Sequence, residues 1–283
     1  ARLSQDRWTL ERRAEEKNAA DPTFSVPREV LAFLAEHLSE SARELDGAIT
    51  RLYAACHLTG VPITVETVEH IILDGGSTDG SVALARSQGA RVIERPDLGL
   101  YERLNLGFAE AADGLVIFIG ADDLLVEGCV PRVLAAYRAT GRRWVAGAVR
   151  WIDKDGRHLA VLRPIFSSVT AEQHAAIGHP LIHISATWIE RSFYHEVGGF
   201  DPKYRIAAEY DFTTRALAVA PFARLTEVIS AWRLTGDNLS VVNRQRQAEE
   251  YRAVSLAHGP KSRALRMLWR YGHRALFNLT NLD

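Results

Sequence analysis

The chain has 283 residues, of which 47% are apolar and 24% charged, and its formal net charge is −1. That balance fits one large globular domain or a medium domain plus a small one, and it excludes a broad attraction to nucleic acid or acidic lipid, so no nucleic-acid partner is expected. Two cysteines, Cys56 and Cys129, are too few for a disulfide framework or a cysteine-based zinc site, and a reducing, cytoplasmic location is expected.

Residues 1–60 read as helices only. In VPREVLAFLAEHL (26–38), Val30, Leu31, Leu34 and Leu38 recur at helical spacing behind Pro27, which suits a first helical turn. SARELDGAITRLYAACHL (41–58) repeats the pattern, and Gly60 and Pro62 end it. From Val68 the rhythm becomes alternating strand and helix. VEHIILD (68–74) precedes a helix near GSVALARSQG and the strand ARVIER (90–95). LYERLNLGFAEAA (100–112) is a second helix, followed by the strand GLVIFIG (114–120). Apolar runs of this kind separated by helices predict an α/β fold with a mostly parallel sheet covered on both faces. WVAGAVRWID and HLAVLRPI form a predicted hairpin around Lys154-Asp155-Gly156. The domain boundary is placed near residues 61–68, giving a helical segment 1–66 and an α/β domain 67–283. The run LVIFIGA (115–121) is far too short to span a bilayer, and the charged opening ARLSQDRWTLERRAEEK does not read as a signal peptide.

Three acidic clusters stand out. Asp74 is followed by Gly75, Gly76, Ser77, Thr78 and Asp79, and GADD (120–123) ends a strongly apolar strand. In a parallel sheet ligands collect beyond the carboxyl ends of strands, so both clusters are expected to face one crevice. Adjacent carboxylates such as Asp122 and Asp123 suit a hard divalent cation with phosphate oxygens as its other ligands. The third cluster is Glu209 and Asp211, in FDPKYRIAAEYDFTTRAL. Two residues apart on a helix is about 200°, so only one of them can face a substrate squarely.

VEHIILDGGSTDGS, RPDLGLYERLNLGFAEAADGLVIFIGADD and GHPLIHISATWIERSFYHEVGGFDPKYRIAAEYDFTTRAL, with the weaker WRLTGDNLSVV, resemble a family 2 glycosyltransferase of the GT-A fold over residues 68–259. The resemblance implies a Rossmann-like domain that transfers a sugar from a nucleotide-diphosphate donor, with Mg²⁺ or Mn²⁺, to a cell-envelope polysaccharide or lipid-linked acceptor. It assigns Asp74 to the nucleotide base, with Gly76, Ser77 and Asp79 in the same loop. Asp123 becomes the metal ligand, and Asp122 lies near the metal and the donor sugar. Tyr101, Arg103 and Asn105 fall on the segment lining the donor pocket, and His179 on the acceptor side. Glu209 takes the place of the family's aspartate base, with Asp211 as its support or as the base itself.

SVPREVLAFLAEHLSESARELDGAITRLYAACHLTGVPITVE (25–66) resembles instead the helical lid of the replication initiator DnaA, in which Arg43 would match an ATP-sensing arginine. No glycine-rich phosphate loop accompanies it, and Arg43 is read as a structural surface residue. The family's first strand is not recognisable, and the helix 41–58 stands where its first helix belongs. The alternative reading is therefore a non-catalytic chimera: a helical nucleotide-sensing or docking module fused to an incomplete transferase domain. In KSRALRMLWRYGHRALFN (261–278), Leu265, Leu268, Trp269 and Leu276 share one helical face, opposite Arg263, Arg266, Arg270 and Arg274. That pattern fits peripheral contact with the inner membrane face and fits docking on the protein's own core equally well.

Overall fold

The computed structural model describes residues 11–12, 14–16, 19, 26, 30–31, 70–164 and 169–280. Of the early residues described, all but Val26 are helical, and Val30 and Leu31 are buried, as their spacing predicts. The boundary near 61–68, the predicted helix 41–58 and Arg43 lie outside the described residues. The chain divides into two compact units, Ala1–Leu98 and Gly99–Asp283.

In the first unit, strand β1 (Ile71–Asp74), helix α1 (Ser81–Ser87) and strand β2 (Arg91–Glu94) form a βαβ unit. The strands pair in parallel, with Ile71 opposite Arg91 and Asp74 opposite Glu94. Asp74 therefore ends its strand where the chain turns into the glycine-rich loop.

The second unit opens with α2 (Leu100–Glu110), β3 (Leu115–Ile117), β4 (Leu124–Leu125) and α3 (Cys129–Thr140). The long strand β5 (Trp144–Asp153) turns at the predicted hairpin into β6 (His158–Leu162). Then follow α4 (Ala171–Ile177), β7 (Thr187–Glu190), α5 (Arg191–Val197) and α6 (Ala208–Val219). The unit ends with β8 (Ala223–Leu234), α7 (Leu239–Val242), α8 (Arg244–His258) and α9 (Arg263–Thr280).

Its sheet runs β3-β7-β5-β8-β4, with β6 on β5. The α/β class is the one expected, but the pairing is mixed. Among the described residues only β5 and β8 are parallel in this sheet, and the other pairs are antiparallel. A continuous apolar run reports burial on both faces and says nothing of strand direction, so the sequence could not separate the two.

Core packing fixes the long strands. Cys129 and Val133 of α3 pack on Val145 and Val149 of β5 and on Ala223 and Ile229 of β8. At the start of β5, Trp144 is fully buried between Phe193 and Phe222, and its indole N–H donates to the Ala220 carbonyl at 3.0 Å. Burial thus comes with a satisfied polar group. Replacing Trp144 with Ala removes the ring and orphans that carbonyl. The expected loss is about 3–5 kcal/mol of unfolding free energy, measured by urea titration.

Candidate active site

The first acidic loop is held by its own aspartate. Asp74 is buried, and its Oδ2 accepts the amides of Gly76 at 2.8 Å and Ser77 at 3.0 Å, while Oδ1 accepts the Ser77 hydroxyl. Gly76 has φ of 105°, a left-handed conformation that a side chain at this turn would resist. Asp79 takes the amide and hydroxyl of Ser81 at the start of α1, and the Ser81 hydroxyl, the largest cause, holds its carboxyl below the usual range. Asp74, Gly76, Ser77 and Asp79 thus form one loop in which small residues let the backbone fold onto a buried carboxylate.

The second acidic loop lies between β3 and β4. Because β4 pairs antiparallel with β8, Asp123 arrives beside Arg233. The Arg233 amide donates to Asp123 Oδ1 at 2.9 Å, and the Arg233 guanidinium donates to the carbonyls of Asp122, Asp153 and Lys154. Asp122 is exposed and Asp123 half-buried. Gly120 leaves the space in which they converge: a Cβ there would stand 3.0 Å from Asp122 Oδ1 and 3.0 Å from Asp123 Oδ2. Burial raises the Asp123 carboxyl, and the neighbouring Asp122 charge adds to this against the Arg233 amide. Two converging carboxylates, with the Asp123 carboxyl raised by burial, are what a divalent cation would relieve. Among the described residues no group of three or more His, Cys, Asp or Glu side chains could hold a metal alone.

Helices α2 and α6 supply the remaining polar groups. Tyr101 is buried, donates to the Ile206 carbonyl at 3.2 Å, and lies beside Glu209. Glu209 sits half-buried in the first turn of α6. Burial pushes its carboxyl up to about 7; the Tyr101 hydroxyl lowers it, and the Asp123 charge raises it further. Burial and the Glu209 charge also push the Tyr251 phenol up. Arg103 is half-buried on α2.

Asn105 is engaged within the fold. Its Nδ2 donates to the Phe200 carbonyl at 2.8 Å, and its Oδ1 accepts the Phe200 amide at 2.9 Å and the Tyr194 hydroxyl. The side-chain amide thus clasps the chain at Phe200. Asp211 is likewise engaged. It is buried, with Oδ2 2.8 Å from Arg215 Nε and Oδ1 3.0 Å from His258 Nε2, and Arg215 continues to the Val197 and Gly199 carbonyls. His179 is exposed after α4, its Nδ1 3.2 Å from the Pro180 carbonyl.

Three contributors went unassigned in the sequence. Glu250 of α8 accepts the amides of Arg205 at 3.1 Å, Ile206 at 2.8 Å and Ala207 at 3.0 Å, which fixes the turn that launches α6. Arg233 lies in WRLTGDNLSVV, a motif visible in the sequence that gave no hint of this contact. His183 packs on Trp232, takes Ser185 Oγ at 2.8 Å on Nδ1, and is pushed down to about 4 by burial, so it is neutral near pH 7. Its position four residues after His179 was the available signal.

Residues 40–198, more than half of the chain, match the family described as Glycosyl transferase family 2. The chain belongs to that family. The family match begins at residue 40, just before the stretch 41–58 that the sequence predicts to be a helix. The chain is 28% identical over 176 residues to the uncharacterized glycosyltransferase Rv1514c of Mycobacterium tuberculosis, covering 60% of this chain and 64% of that protein. It is also 47% identical over 53 residues to the chromosomal replication initiator protein DnaA of Xanthobacter autotrophicus, which is 19% of this chain and 10% of that protein. The chain thus spans a tenth to just under two thirds of these relatives. In fold, this family 2 chain is similar to S. aureus TarS residues 1–349 in complex with UDP-GlcNAc, with a TM-score of 0.56 at 14% identity, covering 82% of this chain and 69% of that one. The mannosyltransferase PcManGT of Pyrobaculum calidifontis, in complex with GDP-Man and Mn2+, gives a TM-score of 0.50 at 17% identity, covering 81% and 65%. These neighbours establish the GT-A architecture.

Glu209 and Asp211 should separate cleanly in stability. Asp211→Asn breaks a buried ion pair and should cost about 3 kcal/mol in denaturant unfolding. Glu209 has a raised carboxyl affinity in the folded state, so its contribution is present below the unfolded carboxylate range and is lost as pH rises through about 7. Glu209→Gln should therefore be neutral or stabilising at pH 8, measured by thermal melts of both variants.

Proposed function

We propose that this chain transfers a sugar from a nucleotide-diphosphate donor to a hydroxyl of a saccharide or lipid-linked acceptor of the cell envelope. The observation that carries this reading is Glu209: a half-buried carboxylate poised at about 7, beside Tyr101 and under the field of Asp123. A base of that strength is matched to taking a proton from an alcohol near neutral pH, because it is ionised in a useful fraction and still binds protons well.

In the proposed step the acceptor hydroxyl gives its proton to Glu209 as its oxygen bonds to the anomeric carbon. The bond from that carbon to the diphosphate oxygen breaks, and the nucleoside diphosphate leaves with the electron pair. Tyr101 steadies the Glu209 carboxylate. Asp122 and Asp123 would hold Mg²⁺ or Mn²⁺, and the cation, when bound, offsets charge on the departing diphosphate. The converging oxygens at Gly120 support that assignment. Arg233 positions Asp123 through its backbone. The family resemblance assigns Asp74 to the nucleotide base and His179 to the acceptor side, and Asp211 is a positioning residue for α6.

The reading is tested by titrating UDP- and GDP-sugars with Mn²⁺ and following nucleoside diphosphate release. Asp123→Ala should abolish metal-dependent donor binding; donor affinity unchanged by that substitution, or absent in the parent chain, overturns the proposal. Glu209→Gln should keep donor binding and lose about 10²- to 10⁴-fold in turnover. The parent rate should rise with pH and level off above about 7, the point at which Glu209 becomes ionised. Tyr101→Phe removes a hydrogen bond that favours the carboxylate, so its pH profile should shift to higher pH.

A further inference from the structure

Helix α9, Arg263–Thr280, has 18 residues and is about 27 Å long. It carries four arginines and no acidic residue, and Lys261 precedes it. Two arginines, one turn apart, fix how it is seated. Arg270 Nε donates to the Ile177 carbonyl at 3.2 Å, at the C-terminal end of α4, and Arg266 Nη1 donates to the carbonyls of Pro260 and Lys261. These two arginines therefore anchor the helix, while Lys261, Arg263 and Arg270 themselves remain exposed. Leu268 lies about 180° around the helix from the midpoint of these two, with Leu265 and Tyr271 about 120° to either side. They are 68%, 40% and 62% exposed, so the apolar stripe faces outward and does not dock on the core. Leu276 and Leu279 continue the stripe in the sequence.

From this seating we infer that α9 docks its outward stripe on an anionic lipid surface. Charge selects the occupant. A second copy of this chain would set two helices without an acidic residue side by side, with no acid to pair their cations, whereas anionic headgroups complement the exposed Lys261, Arg263 and Arg270. Across a helix about 10 Å wide, even the inward arginines lie within about one Debye length of such a surface. Trp269 and Tyr271 flank the stripe, where amphipathic rings favour the boundary between headgroups and acyl chains. No described helix is long and apolar enough to cross a membrane, so this contact lies along the surface. The inference is independent of the reading of the acidic site.

The test is co-sedimentation of the full chain with vesicles of phosphatidylcholine alone and of phosphatidylcholine with phosphatidylglycerol, alongside gel filtration over a range of concentrations. Binding to the anionic vesicles should exceed binding to the neutral ones and weaken as salt is added. The double substitution Leu265→Glu and Leu268→Glu should lower anionic-vesicle affinity by about tenfold or more. Both side chains are exposed, so an unchanged melting curve is expected alongside that loss. Equal binding to both vesicles, no binding to either, binding unaffected by the substitutions, or a dimer that the same substitutions dissolve would each overturn the proposal.

Discussion

A carboxylate can keep a proton affinity near neutrality only if the protein withholds water from it, and that desolvation works against folding. The chain beneath such a group must be fixed by interactions elsewhere. At Glu209 this is done by two other carboxylates. Glu250 gathers three successive backbone amides before α6, and Asp211 ties the next turn of the helix to Arg215 and His258. Charged hydrogen bonds of this kind are among the stronger polar interactions available to a fold. Acids from two helices thus do opposite work around the start of α6: Glu250 and Asp211 are satisfied by their partners, while burial raises the proton affinity of Glu209.

The mixed sheet plays a comparable part for the Asp122–Asp123 pair. The antiparallel contact of β4 with β8 is only two residues long, yet it brings a backbone amide onto Asp123 from a residue 110 positions away. The same arginine side chain collects carbonyls from the acidic loop and from the β5–β6 turn. One residue therefore joins three segments around the acidic pair, and Gly120 keeps clear the space the two carboxylates share.

What the sequence could reveal follows from the range of the interactions involved. Asp74 and the GADD loop were legible because an apolar strand running into small and acidic residues is a local signal. The Lys154-Asp155-Gly156 hairpin was legible for the same reason. Strand direction, the bonding of Asn105 to Phe200, and the clasp by Glu250 were not, since each depends on partners tens of residues distant. Asp211 illustrates the limit well. Its phrase placed it two residues from Glu209, but its contact with His258, from the end of α8, spans 47 positions and left no local signal. The DnaA-like stretch, by contrast, was legible only as a resemblance, and the family match starting at residue 40 overlaps it.

The clasp by α8 also bears on how small a working fragment of this chain could be. The family match ends at residue 198, before Glu209, and an expression boundary drawn a little beyond α6 would retain every acidic residue singled out in the sequence. Such a fragment would still lack Glu250 and His258, leaving three amides at the α6 turn and one buried carboxylate oxygen without their partners. The least piece that preserves the architecture around Glu209 therefore runs through His258. In that sense α8 belongs with the fold that holds Glu209 rather than to a dispensable tail.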